Sequence, residues 1–360
     1  MRLLFYIEAP EWTGSARAFV AAARGLAERG HGVTVACRPE SALERRLEFG
    51  AYEVLSIPSG PGGSRVLRGA VQERFIQAMY VTTEREQLTA AMAARLAERA
   101  AVLRRVPTGA TLSLGVRARL ALRLCATGFV FASKDDQARA PGISRARISP
   151  SVAPLGVNAH AYDAVRPASR AAIGAAGGTR LLVCVFDRAH RARAANVLRV
   201  VALLAPRHPE LRLVFIGPGS DDHELRMHAA ALRVTSQVSF LGERDDYLSV
   251  LSVADLGWVV AEGDNGVYGV LDLLASRVPV LAERGTTAQH YVADGIVGLV
   301  LPPGDPPGTA AAVTRLLAHD EQRAMMGAAG RSRVARAHPE EAMVDGFEAA
   351  ATAASERSAW

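Results

Sequence analysis

Short apolar runs alternate with longer amphipathic stretches along the first part of the chain. The first run, LLFYI, is followed by a Thr-Gly turn and an Ala-rich stretch that ends near Gly30, before the next run, VTVAC. Short continuous apolar runs are typical of strands buried on both faces, and the Ala-rich stretch is typical of a helix. The same pattern predicts further strands at 52–57, 75–81, 110–114 and 129–133 and a helix at 84–104. This order predicts a parallel sheet with helices on both faces.

A Pro- and Gly-rich stretch, APLGVNAHAYDAVRPAS at 153–169, interrupts this alternation and is interpreted as an interdomain linker. A second series of predicted strands then begins at TRLLVCVF, with helices at 193–205, 222–233, 245–252 and 267–276 and from 309 onward. We predict an α/β protein of two doubly wound, Rossmann-like domains that face a cleft. The expected domains are 1–155, 156–340, and a helix at 341–360 that packs back toward the first domain.

Composition narrows the class of protein. The chain has 360 residues, 49% apolar and 22% charged, which is typical of a globular protein. The apolar start MRLLFYI is cut by Glu8 and Pro10, so no signal peptide is predicted and a cytoplasmic location is expected. The three cysteines, Cys37, Cys125 and Cys184, lie in apolar runs, which indicates buried free thiols. No histidine or cysteine spacing indicates a metal site.

The basic residues are concentrated in the first domain. Residues 1–150 hold 22 Lys and Arg against 13 Asp and Glu, whereas 151–360 hold 20 against 23. Two explanations fit this excess of basic residues equally well. One is a solvated surface, and the other is contact with an anionic acceptor or with the inner face of an acidic membrane. Nucleic acid is not an expected partner, because aromatic residues are not interleaved with the charges. The candidate residues for such a contact are Arg65, Arg68, Arg74, Arg117, Arg119 and Arg123.

The strongest motif is EGDNGVYGVLDLLASRVPV at 262–280, in which Asp264 and Asp272 stand eight residues apart. Upstream, FDRAHRAR places Arg188 and Arg193 just after a predicted strand, where two guanidinium groups could bind phosphates bidentately. Together with APLGVNAHAYDA, LRLVFIGPGSDD, VSFLGERDDY and ADGIVGLVLPPGD, these segments resemble the retaining GT-B glycosyltransferases that use nucleotide sugars. The resemblance is strongest over 150–340.

The resemblance implies a role for each matching residue. Asp264 would hold the sugar hydroxyls near the reacting carbon, Asp272 would accept hydrogen bonds from the ribose, and Arg188 and Arg193 would stabilise the leaving diphosphate. The co-substrate would be a nucleotide diphosphate sugar, with no cofactor and no metal. A turn at NGVYG would bring backbone N–H groups to the donor, with Gly266 and Gly269 permitting close approach. The remaining donor-binding candidates are Thr13, Gly14, Glu243, Arg244, Asn265, Gly266, Val267, Thr286 and Thr287.

The leading hypothesis is therefore a retaining glycosyltransferase that acts on an unidentified glycan, glycolipid or natural product, with anionic and lipid-linked acceptors as candidates. A catalytically silent relative that serves as a scaffold or regulatory subunit is the alternative. It is motivated by Asp at both positions where the family usually has Glu, by threonines at family glycine positions, and by the absence of histidine between His31 and His160. Different chemistry on a nucleotide sugar, such as epimerisation, is a third. The two aspartates could also simply cap a turn and a helix, and the two arginines could simply be exposed.

Overall fold

The computed structural model describes residues 1–47, 51–58, 61–112, 114–140 and 145–357. The chain forms two compact units. Unit 1 comprises Met1–Gly156 with Glu340–Trp360, and unit 2 comprises Val157–Pro339. Each contains one parallel sheet, so the predicted α/β class with two Rossmann-like domains is confirmed.

Unit 1 is built on seven parallel strands in the order β3-β2-β1-β4-β5-β6-β7. The strands are β1 (Arg2–Ile7), β2 (Gly32–Cys37), β3 (Glu53–Ser56), β4 (Ala78–Val81), β5 (Ala101–Arg105), β6 (Thr127–Phe131) and β7 (Ser151–Val152). The helices between them are α1 (Gly14–Glu28), α2 (Ala42–Arg45), α3 (Pro61–Glu73), α4 (Glu84–Ala97), α5 (Val116–Leu124) and α6 (Lys134–Ala138).

The last helix, α13 (Glu340–Arg357), belongs to unit 1 although the chain reaches it only after unit 2. Phe347 of this helix enters an aromatic cluster with Phe5, Phe19 and Tyr80, with ring centroids 5.2 to 6.0 Å from its own. The Tyr80 hydroxyl also donates to the backbone carbonyl of Phe347. Buried aromatic rings contribute large areas of apolar contact, so this cluster holds α13 against the sheet.

Two predicted elements of unit 1 are wrong. The helix predicted at 84–104 ends at Ala97, and its last residues form β5 in the middle of the sheet. The chain leaves the helix through Glu98 and Ala100, both with positive φ, where a glycine is the usual signal. The segment predicted as a strand at 110–114 contains no strand in its described residues. Ser113 lies outside the described residues.

Unit 2 is built on six parallel strands in the order β10-β9-β8-β11-β12-β13. The strands are β8 (Arg180–Val185), β9 (Leu211–Ile216), β10 (Val238–Phe240), β11 (Leu256–Val259), β12 (Val280–Glu283) and β13 (Gly298–Leu301). The helices are α7 (Arg191–Leu204), α8 (His223–Ala231), α9 (Tyr247–Leu251), α10 (Gly263–Ala275), α11 (Pro306–Ala318) and α12 (Asp320–Ala337).

Strand order sets where unit 2 can bind a ligand. The chain adds β9 and β10 on one side of β8 and then crosses to β11 on the other, so β8 and β11 flank the topological switch point. Loops that leave such neighbouring strands in opposite directions open a crevice at the carboxyl edge of the sheet.

The three cysteines are buried and free, as predicted. Burial raises the pKa of the Cys37 and Cys125 thiols to about 11. In the described part of the chain, no helix has both the length and the apolar content needed to cross a membrane.

Candidate active site

Four candidate residues of unit 2 follow strands at the carboxyl edge of its sheet, next to the switch point. Arg188 and Arg193 follow β8, Asp264 follows β11, and Thr287 follows β12. Because parallel strands end at the same edge of a sheet, these residues from distant parts of the sequence share one edge.

The loop after β8 is fixed by Asp187, a residue that the sequence analysis missed. One oxygen of its carboxylate accepts a hydrogen bond from the Ala189 amide at 2.7 Å, and the other accepts one from the Asn265 side chain at 3.3 Å. Asp187 thus joins the loop after β8 to the first turn of α10. An aspartate at the start of a helical turn is the only sequence signal that pointed to it.

Arg188 is exposed, and among the described residues it has no ion-pair partner. Its side chain lies against Gly219 in the loop after β9, where an added Cβ would come 2.7 Å from Nε. Gly219 also has a φ of +75°, which side-chain-bearing residues rarely adopt. The guanidinium of Arg188 is therefore supported by neighbouring backbone while its charge remains uncompensated.

Arg193 is in a different electrostatic state. Its Nη1 donates to Glu262 Oε1, and its Nε lies 3.8 Å from Glu283 Oε2. The other oxygen of Glu262 accepts a hydrogen bond from the Thr287 amide at 2.7 Å. Burial raises the pKa of Glu262, but the hydrogen bonds from Thr287 and the charge of Arg193 outweigh it and leave that pKa below its ordinary value. Glu262 therefore stays ionised at neutral pH, between two groups that bind anions.

Thr286 and Thr287 differ in the hydrogen bonds that they make. Thr286 is buried, and its hydroxyl donates to the Glu283 carbonyl at 2.7 Å. The Thr287 hydroxyl accepts from the Gly263 amide at 3.3 Å. Thr287 thus connects the loop after β12 to the start of α10, whereas Thr286 stabilises its own turn.

The turn expected at NGVYG is wrong, because the segment lies inside α10, which begins at Gly263. Asp264 is in the first turn of this helix and is 4% exposed, and Val267 is fully buried. Packing within unit 2 explains why these two positions are glycines. A Cβ on Gly266 would come 2.4 Å from the Ala261 carbonyl, and one on Gly269 would come 3.0 Å from Val185. They permit close packing of the helix on the sheet.

Asp272 lies two turns further along α10 than Asp264. At 1.5 Å of rise per residue, eight residues separate the two positions by about 12 Å along the helix axis. The Asp272 side chain is fully buried and accepts a hydrogen bond from the Tyr162 hydroxyl. Tyr162 lies in a 3₁₀ helix (Ala159–Ala164) within the stretch interpreted as a linker. The structure thus places a protein hydroxyl where the resemblance implies ribose hydroxyls.

The other donor-binding candidates lie on other elements, Glu243 and Arg244 after β10 and Thr13 and Gly14 at the start of α1. Arg244, after β10, forms a bidentate ion pair with Asp246 at 2.6 and 2.8 Å, and the neighbouring Glu243 is exposed. Thr13 and Gly14 lie in unit 1, where the Thr13 hydroxyl caps α1 by accepting from the Ala16 amide at 3.2 Å. Within the residues that the structure describes, no group of three or more His, Cys, Asp or Glu side chains is arranged to hold a metal ion.

The second half of the chain is similar to a known protein family. Residues 165–333 match the family Glycosyl transferases group 1. The match begins at residue 165, well before β8, and ends within α12, so it includes the whole sheet of unit 2 and the residues around Arg193.

Curated relatives extend the similarity in sequence. The chain is 25% identical to EpsD of Bacillus subtilis over 225 residues, which are 60% of this chain and 59% of EpsD. It is 30% identical to the phosphatidyl-myo-inositol mannosyltransferase of Mycolicibacterium smegmatis over 163 residues, 44% of this chain and 41% of that protein. The chain thus spans about half the length of the curated relatives that it matches.

The solved structure of Anabaena HepE in complex with UDP-glucose aligns with 97% of this chain and 98% of its own. The TM-score is 0.78 at 18% sequence identity. Likeness at this identity establishes the fold, which is GT-B.

Proposed function

We propose that the protein is a retaining glycosyltransferase whose unit 2 binds a nucleotide diphosphate sugar. The observation that carries this proposal is the meeting of Arg188, Arg193 and Asp264 at the switch point of unit 2, on a segment that matches glycosyltransferases. Loss of a sugar from such a donor builds negative charge on the leaving diphosphate, and fixed guanidinium groups stabilise that charge.

The proposed mechanism uses few protein groups. Arg188 and Arg193 bind the diphosphate, and Asp264 binds hydroxyls of the transferred sugar. The acceptor hydroxyl attacks the face from which the diphosphate departs, and the diphosphate takes its proton. Asp272 would contact the ribose only by exchanging its hydrogen bond with Tyr162 for one with the donor. The proposal assigns the leaving-group charge to arginines, so it expects turnover to be unchanged by EDTA.

The first test is a binding screen with UDP, GDP, ADP and dTDP by calorimetry, because specific binding to the folded state can be measured without an acceptor. A donor that contains the bound base is then incubated with the protein, and NMR follows the anomeric configuration of the released or transferred sugar. Retention is expected. Inversion would exclude the retaining mechanism, and an epimerised sugar would favour the third hypothesis.

The alternative, a catalytically silent relative, is favoured by one observation: Arg193 is already neutralised by Glu262. Under that alternative no nucleoside diphosphate binds, and the protein is equally heat-stable with and without each of them. The binding screen therefore separates the two functions.

For the acceptor side we propose contact with an anionic membrane through one face of unit 1. Helices α3, α4 and α5 carry exposed apolar and basic side chains side by side, an arrangement that suits an interface between water and acidic lipid. Val116 is 82% exposed and Leu96 is 58% exposed. This basic face consists of Arg65, Val66, Arg68, Met92, Arg95, Leu96, Val116, Arg117, Arg119, Leu120 and Arg123. Arg74 is not part of it, because it pairs with Glu53 at 2.7 Å.

Co-sedimentation with vesicles tests this contact. We expect binding to vesicles that contain phosphatidylglycerol and none to pure phosphatidylcholine, with binding lost at high salt. Leu120→Gln should weaken it, whereas Leu203→Gln, at an equally exposed leucine of α7 in unit 2, should not. Equal pelleting with both lipids, or with neither, would contradict the proposal.

A further inference from the structure

The carboxylate of Glu262 is bound in the way that phosphate oxygens are bound. One oxygen accepts from the guanidinium of Arg193, and the other accepts from the backbone amide of Thr287 at 2.7 Å. A guanidinium and a backbone N–H that converge on one group are the donors that proteins use for anions. Arg193 and Thr287 are also the groups expected to bind the donor diphosphate.

Glu262 has no evident local role that would require its charge. It stands at the N-cap of α10, yet its side chain makes no capping hydrogen bond to that helix. Its release would not leave Arg193 without a counter-charge, because Glu283 Oε2 lies 3.8 Å from Arg193 Nε. The hydrogen bond between the Gly263 amide and the Thr287 hydroxyl would also remain to join the two loops.

We infer that Glu262 is an internal competitor for the diphosphate and that a ligand must displace its carboxylate to reach Arg193 and Thr287. The inference rests on the proposed function and deepens it. Glu262 repels an incoming phosphate as well as occupying its donors, so only a ligand with high negative charge, such as a diphosphate, displaces it. Glu262 thereby weakens binding and selects for the charge of the ligand.

The test is calorimetric titration with sodium pyrophosphate of the wild type, Glu262→Gln and Glu321→Gln. Glutamine keeps the size of the side chain and removes its charge. Glu321 is an exposed residue of α12, beside Asp320, which pairs with Arg180 at the start of β8; it therefore lies at the opposite edge of the sheet. We expect Glu262→Gln to tighten pyrophosphate binding about tenfold, which corresponds to about 1.4 kcal/mol. Glu321→Gln controls for the change in net charge and should leave affinity unchanged.

Two further variants test whether Glu262 acts through its contact with Arg193. In an Arg193→Ala background, Glu262→Gln should tighten binding by less than in the wild type, because the two residues are coupled and their effects are not additive. Glu262→Asp keeps the charge but shortens the side chain by one methylene. Its affinity for pyrophosphate should therefore lie between those of the wild type and Glu262→Gln. This second variant provides the measurement if Glu262→Gln does not fold.

The outcomes separate this inference from the proposed function. Unchanged affinity in Glu262→Gln, or no pyrophosphate binding to any variant, would overturn the inference. Weaker binding would also overturn it, since Glu262 would then position Arg193 for the ligand. If pyrophosphate binds more tightly to Glu262→Gln while no nucleoside diphosphate binds to either protein, the inference stands and the donor proposal fails. If UDP or GDP binds equally to both, the donor proposal stands and the inference fails.

Discussion

Arg188 is expected to contribute more to donor binding than any other single side chain of unit 2. Its guanidinium is exposed, has no ion-pair partner among the described residues, and rests against the backbone of Gly219. A ligand can therefore pair with the charge of Arg188 without first breaking an ion pair within the protein. Arg193 differs, since its pair with Glu262 must be broken. The perturbation is Arg188→Ala.

The expected magnitude follows from the contact that is lost. A hydrogen bond to a charged group contributes about 1.5–3 kcal/mol, so Arg188→Ala should weaken binding of a nucleoside diphosphate about 10- to 150-fold. Folding should be unaffected, because an exposed side chain without an internal partner contributes little to stability. Lysine at this position should restore part of the affinity, since it keeps the charge but not the planar fork.

Calorimetric titration with the nucleotide found in the binding screen measures the effect. Arg207→Ala is the matched control, because Arg207 is also exposed but precedes β9 at the opposite edge of the sheet. Gly219→Ala should also weaken binding, as its Cβ would displace Nε of Arg188. The reasoning would be refuted if Arg188→Ala bound within twofold of the wild type, or if Arg207→Ala lost as much affinity.

Two further predictions concern the attachment of α13 to unit 1. Phe347→Ala removes a fully buried ring from the aromatic cluster and should lower the free energy of unfolding, measured by urea titration, by about 3–5 kcal/mol. Met325→Ala, at an exposed position, is the control and should change it little. A loss below about 1 kcal/mol in Phe347→Ala would contradict the assigned role of the cluster. Hydrogen bonds from His31 and then Arg29 lower the pKa of Glu348. A lowered pKa in the folded state stabilises the protein above the ordinary glutamate pKa of about 4.3, and that contribution is lost as pH falls through the folded value. The stability difference between wild type and Glu348→Gln should therefore be present at pH 6 and shrink below pH 4, and a difference that persisted unchanged to pH 3 would contradict this.

The positions of the strands were largely predictable from the sequence. Strands buried on both faces need continuous apolar residues, and runs such as LLFYI and LRLVFI stand out between Ala-rich stretches and turns. One exception is β5, with the sequence AVLRR, whose residue types suit a helix equally well. Its central place in the sheet made it a strand, because the paired neighbours β4 and β6 satisfy its backbone hydrogen bonds.

The sequence also predicted that Arg188, Arg193 and Asp264 lie at one edge of the sheet, because parallel strands that alternate with helices end at the same edge. It could not determine how they pair. Glu262 contacts Thr287 across 25 residues and Arg193 across 69, and Tyr162 contacts Asp272 across 110. Ion pairs and hydrogen bonds depend on distances of a few ångströms, which periodicity does not specify. Only the packing of α10 against the sheet decided that Asp264 and Asp272, equal in the motif, lie about 12 Å apart along one helix, in different surroundings.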